Sequence, residues 1–199
     1  MIDLDRLLFE FMQSTSNRST NRKQHGLNVL RSRAKIDRVL VATCLYAEAS
    51  AFDPYLEVFE EVLLLCEYSM RNIDFKDWLF SVTLDEGLVN PLWILAQDCR
   101  DSKVRRRALA LMQQLPAGEG IWYLQVMSEI ARACVNYEEK FCEKENPRCE
   151  DIPEWRRVHS TGLGSWDVSS SKVAVMAHLR TRPNGMDGDW HDAKEAIDV

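Results

Sequence analysis

The sequence lacks any apolar run of the roughly 20 residues that a membrane-spanning helix requires. Its longest candidate, "VFEEVLLLC", is interrupted by Glu60 and Glu61. The first residues, "MIDLDRLLFEFMQ", carry acids where a secretory signal carries bases. We therefore expect an intracellular location and no membrane partner. In that reducing environment the six cysteines would stay free.

An excess of positive charge is also missing. The chain has 25 Lys and Arg against 31 Asp and Glu, which gives a formal net charge of −6. Nucleic-acid binding depends mainly on clustered Lys and Arg side chains that neutralise phosphates. We therefore do not expect this chain to hold DNA or RNA by itself, although a local basic patch is compatible with the composition.

Recognisable catalytic, phosphate-binding and metal-binding motifs are absent too. Successive cysteines are 22, 33, 35, 8 and 7 residues apart, whereas zinc thiolates come in tight pairs presented by one loop. Cys134, Cys142, Cys149 and His159 are therefore not expected to bind a metal. The segment "STGLGS" is predicted to be a β-turn, because no helix follows it to hold a phosphate. With no "GxSxG" elbow, we expect neither an enzyme nor a bound cofactor.

What the sequence does contain is helical apolar periodicity over most of its length. It predicts a helix from Leu27 to Ala49, and a second helix to about Arg71 that is capped by Asp53 with Pro54 in its first turn. Further helices are predicted from about Asn90, around the triple arginine at 105–107, and over 121–142. Residues 75–91 read as an extended connector, and the polar segment 14–26, with Arg18, Arg22 and Lys23, as a solvated loop.

The last 54 residues change character from helical to strand-like. Alternation predicts strands in "RRVHSTGLGSWDV" and "KVAVMAHLR", with Val173, Val175, Ala177 and Leu179 on one face. "PNGMDGD" is a predicted turn, and Trp166 and Trp190 are available to pack the strands onto the helices. We therefore predict a mainly α fold of stacked antiparallel helix hairpins, with a small C-terminal antiparallel β-hairpin or three-stranded ribbon. Three parts are expected: 1–26, a helical core over 27–145, and the ribbon over 146–199.

The triple arginine lies in "DCRDSKVRRRALALMQQL", where Asp101 and Ser102 can cap the helix. At about 100° per residue, Arg105 falls inside the apolar arc, and Arg106 and Arg107 fall on the outer face or its border. A buried guanidinium is costly unless its donors are satisfied. We predict that Arg105 is a structural residue paired with an acid such as Glu48, Glu129 or Asp98. The alternatives are a side chain that snorkels at the edge of the arc, or a ligand contact.

The longer stretch "NPLWILAQDCRDSKVRRRALALMQQLPAGEGIW" resembles the C-terminal regulatory region of fungal transcription factors of the Zn2Cys6 binuclear zinc cluster class. The matching positions are Cys99, Arg100, Asp101, Arg105, Arg106, Arg107, Glu119, Gly120 and Trp122. The resemblance is strong over about 90–125 and weak over about 50–199. Two features depart from the family: "WYL" replaces its W-D-S, and the six cysteines do not form its zinc cluster.

The resemblance implies a non-catalytic regulatory or protein-interaction domain in the nucleus. Its partners would be co-regulators or a second copy of the chain, with DNA contacted only through a zinc cluster outside this chain. One alternative is a stand-alone helical adaptor. Another is a small-ligand-binding helical protein, with a pocket among the aromatic residues Trp78, Phe80, Trp93, Trp122 and Tyr123. A packed core would account for the same aromatic residues.

Overall fold

A computed structural model describes residues 20–71, 87–115, 121–163 and 174–198. These parts are mainly helical and end in a small three-stranded antiparallel sheet, which confirms the predicted fold class. The helices of the described residues are α1 (Thr20–Thr43), α2 (Leu56–Arg71), α3 (Val89–Asp98), α4 (Ser102–Met112) and α5 (Ile121–Glu139). Short 3-10 helices cover Ala49–Tyr55, Cys149–Asp151 and Glu154–Arg156.

The first helix is shifted relative to the prediction. It begins at Thr20, so residues 20–26 are helical, and the prediction of a loop there is wrong. Polar residues can form a helix where side chains three or four apart bond to each other, as Gln24 Nε2 does by donating to Asn28 Oδ1 at 3.0 Å. The helix ends at Thr43 rather than Ala49, with the Thr43 hydroxyl donating to the Val39 carbonyl at 2.9 Å.

The predicted N-cap of the second helix is also wrong. Asp53 and Pro54 lie inside the 3-10 helix Ala49–Tyr55, and α2 follows from Leu56. The Asp53 carboxylate accepts hydrogen bonds from Arg157, more than a hundred residues along the chain. An acid followed by proline predicts a helix start from local geometry alone, and here a distant arginine takes the carboxylate instead.

One apolar core joins the helices. α1 packs against α2 and α3, and α3 against α4 and α5. Its fully buried members include Ile36, Phe59, Leu92, Leu95 and Met112. This arrangement places α5 and the α3–α4 corner next to each other in the interior of the helical part.

A second, smaller core lies between α5 and the sheet. The strands β1 (Ser160–Leu163), β2 (Ala174–Thr181) and β3 (His191–Asp198) are antiparallel in the order β1-β2-β3. Ala177 and Leu179, predicted to share one face, are both buried against Val126 and Ile130 of α5. Because α5 is apolar toward both cores, it is the element that holds helices and sheet together.

Three local predictions in the C-terminal part have different outcomes. Residues 160–163 form β1 and pair with β2, which confirms the strand predicted in "RRVHSTGLGSWDV" at these residues and makes the "STGLGS" turn wrong where it is described. The "PNGMDGD" turn is confirmed, and Gly185 adopts a φ of 86°, a left-handed conformation that suits glycine. Trp190 contacts the His159 ring edge-on, with 5.4 Å between the two ring centres. Trp166, Val173 and most of the predicted connector 75–91 lie outside the described residues.

Candidate functional site

The family-like stretch forms a sharp corner between α3 and α4. Asp101 is the N-cap of α4, as predicted, and its carboxylate accepts from the backbone N–H groups of Lys103 and Val104 at 3.1 and 3.3 Å. Ser102 is the first residue of the helix, and its N–H donates to the Pro147 carbonyl at 3.0 Å. The corner is therefore fixed by its own cap and by the segment after α5.

Arg105 is fully buried, which confirms its predicted position in the apolar arc. Its Nη1 donates to Glu138 Oε2 at 2.7 Å, and its Nε donates to the Ala96 carbonyl at 3.2 Å. The predicted pairing with an acid is confirmed, but the acid is Glu138 and none of the three named, Glu48, Glu129 and Asp98. Glu48 is exposed, Glu129 pairs with Arg132, and Asp98 approaches Arg100 instead.

The sequence does carry a signal for the true partner. The buried stripe of α5 steps from position 124 to 128, 131 and 135 at helical spacing, and the next step of three is Glu138. The charges of "NYEEK" by themselves predict a solvated helix face, and this prediction is wrong for Glu138, whose side chain is completely buried. An acid that continues an apolar stripe indicates a buried cation elsewhere in the fold.

Arg100 is the second buried cation at this carboxylate. Its Nη2 donates to Glu138 Oε1 at 3.1 Å and to the Val158 carbonyl at 2.9 Å, and its Nη1 donates to the Asp98 carbonyl at 3.0 Å. Glu138 Oε1 also accepts from the Val158 N–H at 2.7 Å. We call Arg100, Arg105 and Glu138 the Arg–Glu cluster. It joins the α3–α4 corner, α5 and the approach to β1.

The Arg–Glu cluster is ionised in the folded protein. Burial alone would raise the pKa of Glu138, but Arg100, Arg105 and the Val158 N–H outweigh it and lower that pKa. Burial likewise opposes the charge on both arginines, yet Glu138 raises the pKa of each. The pKa of nearby Asp98 is raised to about 6, chiefly because burial disfavours its charge. A carboxylate held by two permanent cations is a poor proton donor or acceptor at neutral pH, so the cluster suits a structural role.

Arg106 and Arg107 lie on the outer side of α4, as predicted, but they are not isolated. Arg106 pairs with Glu139 and donates to the Glu145 carbonyl at 3.0 Å, and Arg107 pairs with Glu67 of α2. Their side chains are 46% and 57% exposed. Because each charge already has a carboxylate partner, the triple arginine offers little free charge to a phosphate backbone.

A third buried arginine, Arg157, holds the segment after α5 to the 3-10 helix that precedes α2. Arg157 donates to both carboxylate oxygens of Asp53, at 2.6 and 2.8 Å, and to the carbonyls of Ile152 and Cys149. Nearby, the two Glu154 oxygens accept from the N–H groups of residues 49 and 50, at 2.6 and 2.8 Å. Sequence reasoning missed these contacts, because residues 146–159 have no periodicity that marks a buried side chain.

The cysteines are free in the structure, and burial makes several of them unreactive. Burial raises the pKa of Cys66, Cys99 and Cys134 to about 12, so these thiols stay protonated at neutral pH. Among the described residues, no group of three or more His, Cys, Asp or Glu side chains could hold a metal ion.

The remaining predicted residues are only partly covered. Glu119 and Gly120 lie outside the described residues, as do Trp78 and Phe80 and the side chains of Trp122 and Tyr123. Trp93 is half-buried and packs against both cores.

A cavity of about 520 Å³ lies between α2 and α4, lined in part by Glu67, Met70, Arg107 and Leu111.

Comparisons with protein-family models, with curated proteins and with solved structures found no match for this chain. The resemblance to the fungal regulators thus stays a prediction from the sequence. None of the helices in the described ranges is long and apolar enough to cross a membrane.

Proposed function

We propose that this chain is a non-catalytic regulatory and protein-interaction domain of a fungal Zn2Cys6-type transcription regulator that acts in the nucleus. DNA would be contacted only through a zinc cluster outside this chain. The observation that carries the proposal is the Arg–Glu cluster. It accounts for Arg100 and Arg105 of the family-like motif as interior structural residues, which is consistent with the non-catalytic domain that the resemblance implies.

The surface supports an interaction role. Large apolar side chains are exposed near the end of α1, at Val41, Leu45 and Tyr46, and after α5, at Phe141 and Trp155. Single exposed apolar residues are common, but aromatic residues grouped with arginine are enriched where proteins bind each other. The acidic net charge and the paired arginines disfavour direct nucleic-acid binding.

A tethering experiment tests the regulatory role. The chain is fused to an unrelated DNA-binding module in a fungal cell, and transcription of a reporter with matching sites is measured. We expect the fusion to change reporter output relative to the module alone. An unchanged output from a folded, nuclear fusion would contradict the proposal.

Two further measurements separate the hypotheses. A lysine-rich six-cysteine cluster encoded upstream of Met1 would support the regulator, and a gene without one would favour a stand-alone adaptor. The purified chain should show no salt-dependent affinity for duplex DNA, since that affinity reflects ion pairs between Lys or Arg side chains and phosphates. Tight binding that weakens steeply with salt would overturn this part.

The cavity between α2 and α4 favours a second candidate function, the binding of a small ligand. It is open to solvent on one side, and the Glu67–Arg107 pair would supply polar contacts to a ligand there. A screen of small carboxylic acids and apolar metabolites by thermal shift tests this candidate. A ligand that stabilises the wild type but not Leu111→Trp, which fills the cavity, would support it.

A further inference from the structure

Arg156 lies between two exposed aromatic rings. Its guanidinium carbon is 4.3 Å from the ring centre of Phe141 and 5.3 Å from that of Trp155. The rings are 70% and 51% exposed, and Lys140 Nζ lies 5.6 Å from the Phe141 centre. Two cations and two large rings therefore share one small surface, which we call the aromatic–arginine patch (Lys140, Phe141, Trp155 and Arg156).

Arg156 differs from the other arginines that stack on aromatic rings. Arg180 lies 5.5 Å from the Trp190 centre but also bonds to Asp192 at 3.2 Å. Arg182 lies 3.8 Å from the same ring and donates to the Met186 carbonyl at 2.6 Å. In the described parts of the chain, the Arg156 side chain stacks on two rings, and neither it nor Lys140 has an ion pair with a carboxylate.

This arrangement prepares Arg156 to bind an anion. Stacking restricts the guanidinium, so less conformational entropy is lost when its N–H groups meet a ligand. A planar guanidinium matches a carboxylate in a two-point hydrogen bond. The exposed faces of Phe141 and Trp155 would bury an apolar or aromatic side chain beside that bond.

The surrounding charge favours a short acidic segment over a polyanion. Glu143, Glu145 and Glu150 are exposed in the same stretch of chain, and they would repel a phosphate backbone or an anionic bilayer. A protein surface that binds a phosphate backbone or an anionic bilayer also needs several basic side chains without carboxylate partners, and this patch offers two. One carboxylate with an apolar neighbour is the ligand that two cations and two rings match best.

We propose that the aromatic–arginine patch docks an acidic segment of a partner protein that carries an aromatic or aliphatic anchor residue. The inference rests on the proposed function, because it names the kind of partner that the interaction domain takes. Tethering tests the domain's effect on transcription, and peptide binding tests the patch, so the two can fail separately.

The test uses fluorescence anisotropy with the full chain and a labelled, C-terminally amidated peptide that has one acidic side chain beside apolar anchors, GSGLWDLFGSG. We expect saturable binding that Arg156→Met weakens by about tenfold or more, the usual effect of losing a central arginine in an interface. Arg156→Lys should weaken it less, because it keeps the charge. The matched control is Arg180→Met, which removes a stacked arginine that already has a carboxylate partner and should leave affinity within about twofold.

Four outcomes would overturn the proposal. The first is no binding at protein concentrations up to about 1 mM, because a Kd above that value is too weak for a specific interface. The second is equal affinity of the wild type and Arg156→Met, with both shown to be folded by thermal melting. The third is equal binding of the neutral peptide GSGLWNLFGSG, in which an amide replaces the one carboxylate. The fourth is preferential, Arg156-dependent binding to phosphatidylserine vesicles or to a second copy of this chain.

Discussion

Replacing Glu138 with Gln is the sharpest test of the Arg–Glu cluster. The side chain keeps its size, but two fully buried guanidinium groups lose their shared countercharge. The amide oxygen can still accept from Arg100 or the Val158 N–H, while the new NH2 group faces the Arg105 donors. We therefore expect the variant to fold less stably rather than to lose a chemical activity.

The magnitude follows from breaking a buried ion pair by removing one partner, which typically costs about 3–5 kcal/mol. For a chain of this size, each kcal/mol lowers the melting temperature by about 2–4 °C, so the expected decrease is about 6–20 °C. Thermal and urea unfolding of the full chain, followed by circular dichroism, would measure both quantities.

The matched control is Glu129→Gln on the same helix. Glu129 pairs with Arg132, which is 40% exposed, and such pairs contribute at most about 1 kcal/mol. Adding Arg105→Met to Glu138→Gln should restore part of the lost stability, because one uncompensated charge is removed. Equal melting of the Glu138 and Glu129 variants would refute the structural role of the cluster.

Three further substitutions test neighbouring contacts. Asp98→Asn should be more stable than the wild type at about pH 8, by on the order of 1–3 kcal/mol, and not below about pH 4. The pKa of Asp98 is raised from its ordinary value of 3.8 to about 6, so its stabilising contribution is complete below pH 3.8 and is lost as the pH rises through about 6. A pH-independent difference in urea unfolding would contradict this. Asp101→Ala should cost about 1 kcal/mol through loss of the helix cap, and Asp101→Ser should recover most of it; equal melting of the two variants would argue against capping. Arg157→Met should speed hydrogen exchange in the 3-10 helix Ala49–Tyr55 before α4 is affected, because Asp53 loses its bidentate partner; uniform exchange across both would contradict a local role.

The regular elements could be predicted because their signals are local. Alternation marked β2, and the proline and glycines of "PNGMDGD" marked the turn around Gly185. Helical periodicity placed Arg105 in the apolar arc. Where local signals competed with distant partners, prediction failed, as at Asp53 and at the turn predicted from the glycines of "STGLGS", where pairing with β2 keeps residues 160–163 extended. A propensity says which local conformation is favoured, but a long-range hydrogen bond or strand pairing can outweigh it.

The sequence by itself determined that the chain is mainly helical with a C-terminal sheet, that Asp101 caps α4, and that Arg105 is buried. Each of these depends on contacts within a few residues, which helix and strand geometry fix. Only the tertiary structure decided that Glu138 neutralises both Arg100 and Arg105, and that Asp53 binds Arg157. Those partners are 33 to 104 residues apart. Which side chains meet at such separations depends on how α5 and the 3-10 segments pack against the α3–α4 corner and α2, and the periodicity of a single element contains no information about that packing.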